Sequence, residues 1–240
     1  MAEVIIALDL PGEDARRLLD RIPEAGWVKV GSVLFASEGP GLVREFARRG
    51  LKVFLDLKWH DIPNTVAGAV ASARDLGATM ATVHALGGWT MMEAAARAAG
   101  ADLALVGVTV LTSHTPESYG RAVGRPGVVL PEEAGRLAAE ALGSGLRGVV
   151  CSPLEVAAIR SAVGPDAWLV VPGIRRPADA AGDQARTATP TQAVLAGATH
   201  LVVGRPVLEA ADPRAVFFEM SEAAALVGKA GRRDGGSAFG

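Results

Sequence analysis

Short, almost continuously apolar runs alternate with longer stretches of helical period along the whole of this sequence. The apolar runs fall at residues 4–8, 27–30, 52–57, 80–84, 104–110, 148–151, 168–171 and 201–203. Unbroken Val, Ile and Leu, rather than strict alternation with polar residues, marks parallel strands covered on both faces. Between them, residues 14–22, 42–49, 65–76, 90–99, 132–142, 154–163, 191–196 and about 213–227 carry the apolar spacing of amphipathic helices. The pairs Gly77-Ala78, Gly100-Ala101 and Gly197-Ala198 stand just ahead of strands, where a glycine can adopt the left-handed conformation that ends a helix. Eight strands alternating with eight helices predict an α/β chain folded as a single (β/α)8 TIM barrel over residues 1–227. The competing architecture is a doubly wound open sheet, which usually carries a Gly-rich nucleotide loop after its first strand. This chain has Asp9-Leu10-Pro11-Gly12 there instead.

Composition narrows the picture. The 240 residues suit one barrel, and no linker divides them. Residues 228–240 are Gly-rich and are expected to form a disordered tail. Half of the residues are hydrophobic but only 5% are aromatic, so Ala, Val and Leu must fill the core. No apolar run approaches the ~18 residues of a membrane span. The opening MAEVIIALDL lacks a basic segment and a small-residue cleavage site, so a cytoplasmic protein is expected. A net charge of −2, with both signs interspersed, argues against a nucleic-acid or anionic-membrane surface, though a local basic pocket could still take a small anion. Cys151 is the single cysteine, which leaves no intramolecular disulfide and no thiolate cluster. Metal-ligand spacing of His, Cys or carboxylates is also missing, so no metal is expected.

The lysines change the reading further. Lys29, Lys52, Lys58 and Lys229 are the only four; the other 20 of the 24 basic residues are arginine. A chain that writes Arg almost everywhere keeps Lys where a guanidinium will not serve, because Lys can give up a proton. Chemistry in such a barrel sits at the C-terminal ends of the strands. Those ends carry Asp9, Lys29, Asp56 with Lys58 and Asp61, His84, Thr109 with Thr112 and Ser113, Ser152, Pro172-Gly173 with Arg175, and Gly204-Arg205. Asp56 and Lys58 lie two apart on an extended strand and so share a face, which points into the barrel mouth if Leu55 and Leu57 pack on helices. Buried there, the two charges must pair. A lysine flanked by carboxylates keeps its proton, as a general acid delivering one to carbon requires. Asp-x-Lys alone is equally well read as an ion pair closing the barrel. The longer run from Asp56 through Asp61 to Thr65 is far more specific. Across the ring, Gly204 would let a phosphate approach the backbone and Arg205 would grip it. The unusually long connection 172–190, with Gly173, Arg175, Arg176, Asp183, Gln184 and Arg186, reads as a functional lid or a disordered loop.

With these residues assembled, the chain closely resembles the orotidine 5′-phosphate decarboxylase family. The resemblance covers about residues 3–220. It is carried by Ala7-Leu8-Asp9, Lys29-Val30-Gly31, the run Asp56-Leu57-Lys58-Trp59-His60-Asp61-Ile62-Pro63-Asn64-Thr65, Val108 to Ser113, Val150-Cys151-Ser152, Pro172 to Arg175, Gly182-Asp183-Gln184 and Val203 to Pro206. It implies cofactor-independent decarboxylation of orotidine 5′-monophosphate to uridine 5′-monophosphate in pyrimidine synthesis. Lys58 would then protonate C6 of the pyrimidine, and Asp56 would lie beside the substrate carboxylate. Lys29 and Asp61 would complete an alternating charge array. The same resemblance gives Asp9 and Lys29 the ribose hydroxyls and Thr112 the pyrimidine edge. Arg175, Gln184, Gly204 and Arg205 would take the phosphate, with Ile62 and Pro172 lining the site. Asp61 and Thr65 would reach into a partner's site, so a homodimer is implied.

Other polar and aromatic residues have plainer readings. His60 and His84 are read as packing residues, since no acid–base step needs them; Ser152 as a strand-end hydroxyl; Cys151 as a small buried hydrophobe; and Trp59 and Trp89 as packing. Two alternatives stand. A superfamily relative such as 3-keto-L-gulonate 6-phosphate decarboxylase shares Asp-x-Lys-x-x-Asp but resembles a magnesium enzyme with an acidic ligand where this chain has Lys29. A phosphate-binding barrel without catalysis would gain nothing from a buried charge array.

Overall fold

The computed structural model describes residues 2–177, 179 and 186–230. Eight parallel strands, β1 (Glu3–Ala7), β2 (Trp27–Gly31), β3 (Lys52–Trp59), β4 (Met80–His84), β5 (Ala104–Val108), β6 (Gly148–Val150), β7 (Trp168–Val171) and β8 (His200–Val203), form a closed barrel in sequence order. Closure comes from β8 pairing with β1, in register from Glu3–His200 to Ile6–Val203. All eight expected strands are present, with ends shifted by at most two residues. The expected doubly covered strand faces are visible in the packing. Ile5, Ala7, Trp27, Phe54, Met80 and Val202 fill the barrel interior, while Val4, Ile6, Leu8, Val53 and Leu55 face the surrounding helices.

The helices are α1 (Gly12–Arg21), α2 (Ser32–Glu38), α3 (Pro40–Arg48), α4 (Pro63–Asp75), α5 (Gly88–Ala99), α6 (Pro116–Ala122), α7 (Leu130–Gly143), α8 (Val156–Val163), α9 (Pro190–Leu195), α10 (Arg205–Leu208) and α11 (Pro213–Ala230). Proline at the first turn of α3, α4, α6, α7, α9 and α10 presets φ where no N–H partner is needed. Gly77, Gly100 and Gly197 have φ of 87°, 63° and 110°, the left-handed stops expected from their Gly-Ala pairs. Three short helices were not anticipated: α2, α6 and α10 run four to seven residues, too few turns to reveal a period. The last helix continues to Ala230, three residues past its expected end at Val227, so part of the stretch expected to be disordered is helical. Residues 231–240 lie outside the described residues, as do Gly182, Asp183 and Gln184.

The foot of the barrel is closed by aromatic packing. Trp27 and Trp168 meet edge to face at 6.4 Å, and His200 lies 5.4 Å and 4.5 Å from their rings. Burial, and then the nearby Lys52, push the His200 pKa down to about 4. Among the described residues no helix is long and apolar enough to cross a membrane.

Candidate active site

At the opposite end the strand termini surround a cavity of about 840 Å3, within the usual range for small-molecule sites. Of the residues expected there, Asp9, Lys29, Asp56, Lys58, Thr112, Pro172, Arg175, Gly204 and Arg205 line it. Its walls are apolar: Ala7, Phe54, Val108, Val110, Val150 and Val202 come from five strands and the residues just beyond β5. A low-dielectric wall of this kind strengthens whatever charges face the cavity.

Those charges form a chain of alternating sign. The Lys29 Nζ lies 3.0 Å from Asp9 Oδ1 and 3.8 Å from Asp56 Oδ2, and the Lys58 Nζ lies 2.8 Å from that same Asp56 oxygen. Lys29 and Asp56 are almost covered, at 11% and 12% exposure, whereas Asp9 at 61% and Lys58 at 39% open onto the cavity. The two inner charges are therefore compensated by each other and by the outer pair, which is the condition for keeping ionised groups out of water. Gly31 makes room for this arrangement, since a Cβ there would stand 3.0 Å from Lys29 Nζ and 3.5 Å from Asp9 Oδ1.

The route by which Asp56 and Lys58 converge differs from simple strand alternation. Phe54 and Asp56 do share the interior phase. The β3–β4 ladder then shifts register between Leu55 and Trp59, and Lys58 has φ of 52°, the one non-glycine positive φ among the described residues. A non-glycine residue in that region costs roughly 1–3 kcal/mol and persists where surrounding contacts hold it. Here the Lys58 N–H donates to Thr82 Oγ1 at 2.7 Å, and Thr82 Oγ1 lies 3.1 Å from Asp56 Oδ1. Thr82 was not among the expected site residues; its interior phase on β4, two residues after Met80, is the signal that could have marked it.

Asp61, Ile62 and Thr65 do not line the cavity of their own chain. They sit exposed where β3 leads into α4, and Asp61 Oδ1 accepts the Ile62 N–H at 2.6 Å. Ile62 is 67% exposed, and Leu86 and Trp89 are also solvent-facing. Trp89 is thus less enclosed than its reading as a packing residue anticipated, although its ring lies so close to Gly143 that a Cβ there would stand 2.8 Å away. Trp59 packs on the core as expected. His60 and His84 stack at 5.5 Å, and His84 Nδ1 accepts the Leu86 N–H at 3.3 Å. Burial, followed by the charges of His60 and Lys58, lowers the His84 pKa to about 4.

On the far side of the cavity, Arg175 is almost fully buried and donates to the Ile174 carbonyl at 2.9 Å. Arg205 opens the four-residue α10 directly after Gly204. A brace not legible in the sequence joins the neighbouring loops. Arg186 is paired with the buried Glu155 and donates to the Leu111 carbonyl at 3.2 Å, one residue before Thr112. Burial pushes the Glu155 carboxyl above its ordinary range, against the pull of Arg186. A second buried carboxylate, Glu133, accepts hydrogen bonds from Arg136, Arg125 and Tyr119, tying α6 to α7 beyond the Thr112 turn. Those bonds, that from Arg136 foremost, hold its pKa at about 2. Ser152 Oγ accepts the Leu154 N–H at 3.3 Å, the strand-end role expected of it. Cys151 is buried on the cavity wall, and burial pushes its thiol pKa up.

A closed (β/α)8 barrel whose mouth gathers two lysines, two arginines and the three carboxylates of Asp9, Asp56 and Glu209 defines a barrel enzyme with its site at the C-terminal face. The comparisons with known proteins make this specific. Residues 2–219 match the model of the orotidine 5′-phosphate decarboxylase / HUMPS family, and the chain belongs to that family. An orotidine 5′-phosphate decarboxylase from Anaeromyxobacter sp. (strain K) is 54% identical over 216 residues, covering 88% of this chain and 93% of that protein. Another from Alkalilimnicola ehrlichii is 50% identical over 226 residues, covering 91% of this chain and 94% of that protein. The crystal structure of orotidine 5′-phosphate decarboxylase from Lactobacillus acidophilus superposes with a TM-score of 0.83 at 37% identity, covering 93% of this chain and 99% of that one.

Proposed function

We propose that this protein decarboxylates orotidine 5′-monophosphate to uridine 5′-monophosphate, in pyrimidine nucleotide synthesis, without a metal or organic cofactor. The observation that carries the reading is the charge chain Asp9–Lys29–Asp56–Lys58 at the mouth of an otherwise apolar cavity. In the proposed reaction the bond between C6 and the substrate carboxylate breaks, carbon dioxide leaves, and the electron pair stays on C6. The Lys58 ammonium then gives its proton to C6 and recovers one from solvent. Lys29 and Lys58 flank Asp56, so positive charge already stands beside the carbon on which negative charge develops, with no reorganisation needed at that moment. Asp9 and Lys29 would hold the ribose hydroxyls, and Thr112 the pyrimidine edge, with Pro172 against the ligand. Arg175, Gly204 and Arg205 would take the phosphate, joined by Gln184, which lies outside the described residues.

The exposed placement of Asp61, Ile62 and Thr65 supports a homodimer in which these residues enter the partner's cavity, since they do not line their own. Against a metal-dependent sugar-phosphate decarboxylase stands Lys29, whose ammonium, 3.8 Å from Asp56, would repel a cation at the end of β2. The test is ultraviolet absorbance on mixing chelator-treated protein with orotidine 5′-monophosphate. Loss of the carboxyl conjugated to the ring is the expected signal. A spectrum unchanged both without and with added Mg2+ refutes the activity, and turnover that appears only on adding Mg2+ refutes the cofactor-free reading.

A further inference from the structure

Thr82 is the one polar residue in the buried run Met80–Val83, and it enters no motif that carries the family resemblance. Its hydroxyl stands between the two halves of the charge pair. The oxygen accepts the Lys58 backbone N–H at 2.7 Å and lies 3.1 Å from Asp56 Oδ1. A backbone N–H can only donate, and an ionised carboxylate can only accept. The single hydroxyl proton is therefore committed to Asp56, and a lone pair to Lys58; no other orientation satisfies both neighbours.

Two consequences follow. First, the N–H of Lys58 falls where the β3–β4 ladder is interrupted, between Leu55 and Trp59, and Thr82 supplies the acceptor at that point. The bond fixes the left-handed backbone that aims the lysine side chain. Second, it divides the Asp56 carboxylate. Oδ1 is taken by Thr82, which leaves Oδ2 facing both ammonium groups, Lys58 at 2.8 Å and Lys29 at 3.8 Å.

We infer that Thr82 is a positioning residue for the reaction, its hydroxyl holding the Lys58 backbone and the Asp56 carboxylate in one fixed geometry. This rests on the proposal that Lys58 delivers the proton. Thr82 is fully buried and is not among the residues that line the cavity, so its contribution belongs to the chemical step rather than to affinity. A misplacement of about 1 Å in such a group costs on the order of 10²-fold in rate.

The experiment compares wild type, Thr82→Val and Thr82→Ser in kcat and KM for orotidine 5′-monophosphate and in Kd for uridine 5′-monophosphate. Valine keeps the shape and loses the hydroxyl, whereas serine keeps the hydroxyl. Thr82→Val is expected to lose about 10²-fold in kcat with KM and product Kd within threefold of wild type. Thr82→Ser is expected to recover kcat to within tenfold. If valine does not yield folded protein, Thr82→Ala against Thr82→Ser makes the same comparison. The inference is overturned if the hydroxyl-free variant keeps kcat within fivefold, if serine is no better than valine, or if product affinity falls along with kcat. A wild-type protein that leaves orotidine 5′-monophosphate intact refutes the proposed function itself, and this inference with it.

Discussion

Replacing Arg186 by methionine removes the guanidinium that faces Glu155 while keeping much of the side-chain volume. The pair is enclosed, with Glu155 1% and Arg186 12% exposed, so solvent cannot screen what is left behind. Glu155 would keep one donor, the Ser152 N–H at 3.2 Å. A buried carboxylate stripped of its cation costs roughly 3–5 kcal/mol if it stays charged. Taking up a proton sets a ceiling on that cost. From an ordinary value of 4.5, neutralising the carboxyl costs about 3.4 kcal/mol at pH 7 but only about 0.7 kcal/mol at pH 5.

The sign follows from linkage. A carboxyl whose folded pKa is raised contributes fully below 4.5 and loses that contribution as pH rises through the folded value. Removing Arg186 raises the folded value further and deepens the loss near neutrality. Thermal unfolding followed by circular dichroism at both pH values is the assay. At about 2–4 °C per kcal/mol for a chain of this size, the variant should melt up to roughly 7–14 °C below wild type at pH 7. The difference should shrink to about 1–3 °C at pH 5. The double variant Glu155→Leu with Arg186→Met should recover most of the loss, because apolar residues need no partner. Equal destabilisation at both pH values, or no recovery in the double variant, would refute the account of the brace.

Lys58→Ala should fold and still bind uridine 5′-monophosphate while losing about 10²–10⁴-fold or more in single-turnover rate, with Lys58→Arg nearly as impaired; a rate within tenfold of wild type sinks the proton-donor role. Arg205→Ala should lower kcat/KM by several orders of magnitude and kcat as well, and an unchanged kcat at saturation would make the phosphate grip uniform binding only. Mixing Lys58→Ala with Asp61→Ala subunits should restore about a quarter of wild-type activity, because random pairing gives about half mixed dimers, each with one intact site. Mixed dimers confirmed by mass spectrometry yet inactive would return Asp61 to its own subunit. His200 has a folded pKa of about 4 against an ordinary 6.5, so stability present above pH 6.5 is lost as pH falls toward 4, and His200→Gln should flatten that slope in melting temperature. Identical slopes in the two proteins would refute it.

What the sequence determined by itself is the repeating unit and most of the polar residues that line the cavity. Apolar runs buried on both faces leave little choice of element, and eight βα repeats leave little choice of closure. The strand ends therefore nominated Asp9, Lys29, Asp56, Lys58, Thr112, Arg175 and Arg205 before any contact was known, and all of them line one cavity. Tertiary structure decided what depends on register and on distance along the chain. Periodicity cannot show that the β3–β4 ladder slips and turns Lys58 left-handed, because the slip is a property of two strands and not of one. Glu155 was silent, and Thr82 was marked by nothing but its inward phase, for a related reason. Each is an ordinary residue locally, and its role arises only when a strand or loop dozens of residues away supplies its partner, as Asp56 and Lys58 do for Thr82 and Arg186 does for Glu155. The short helices α2, α6 and α10 were hidden because stretches of four to seven residues carry too few turns for a hydrophobic period to emerge.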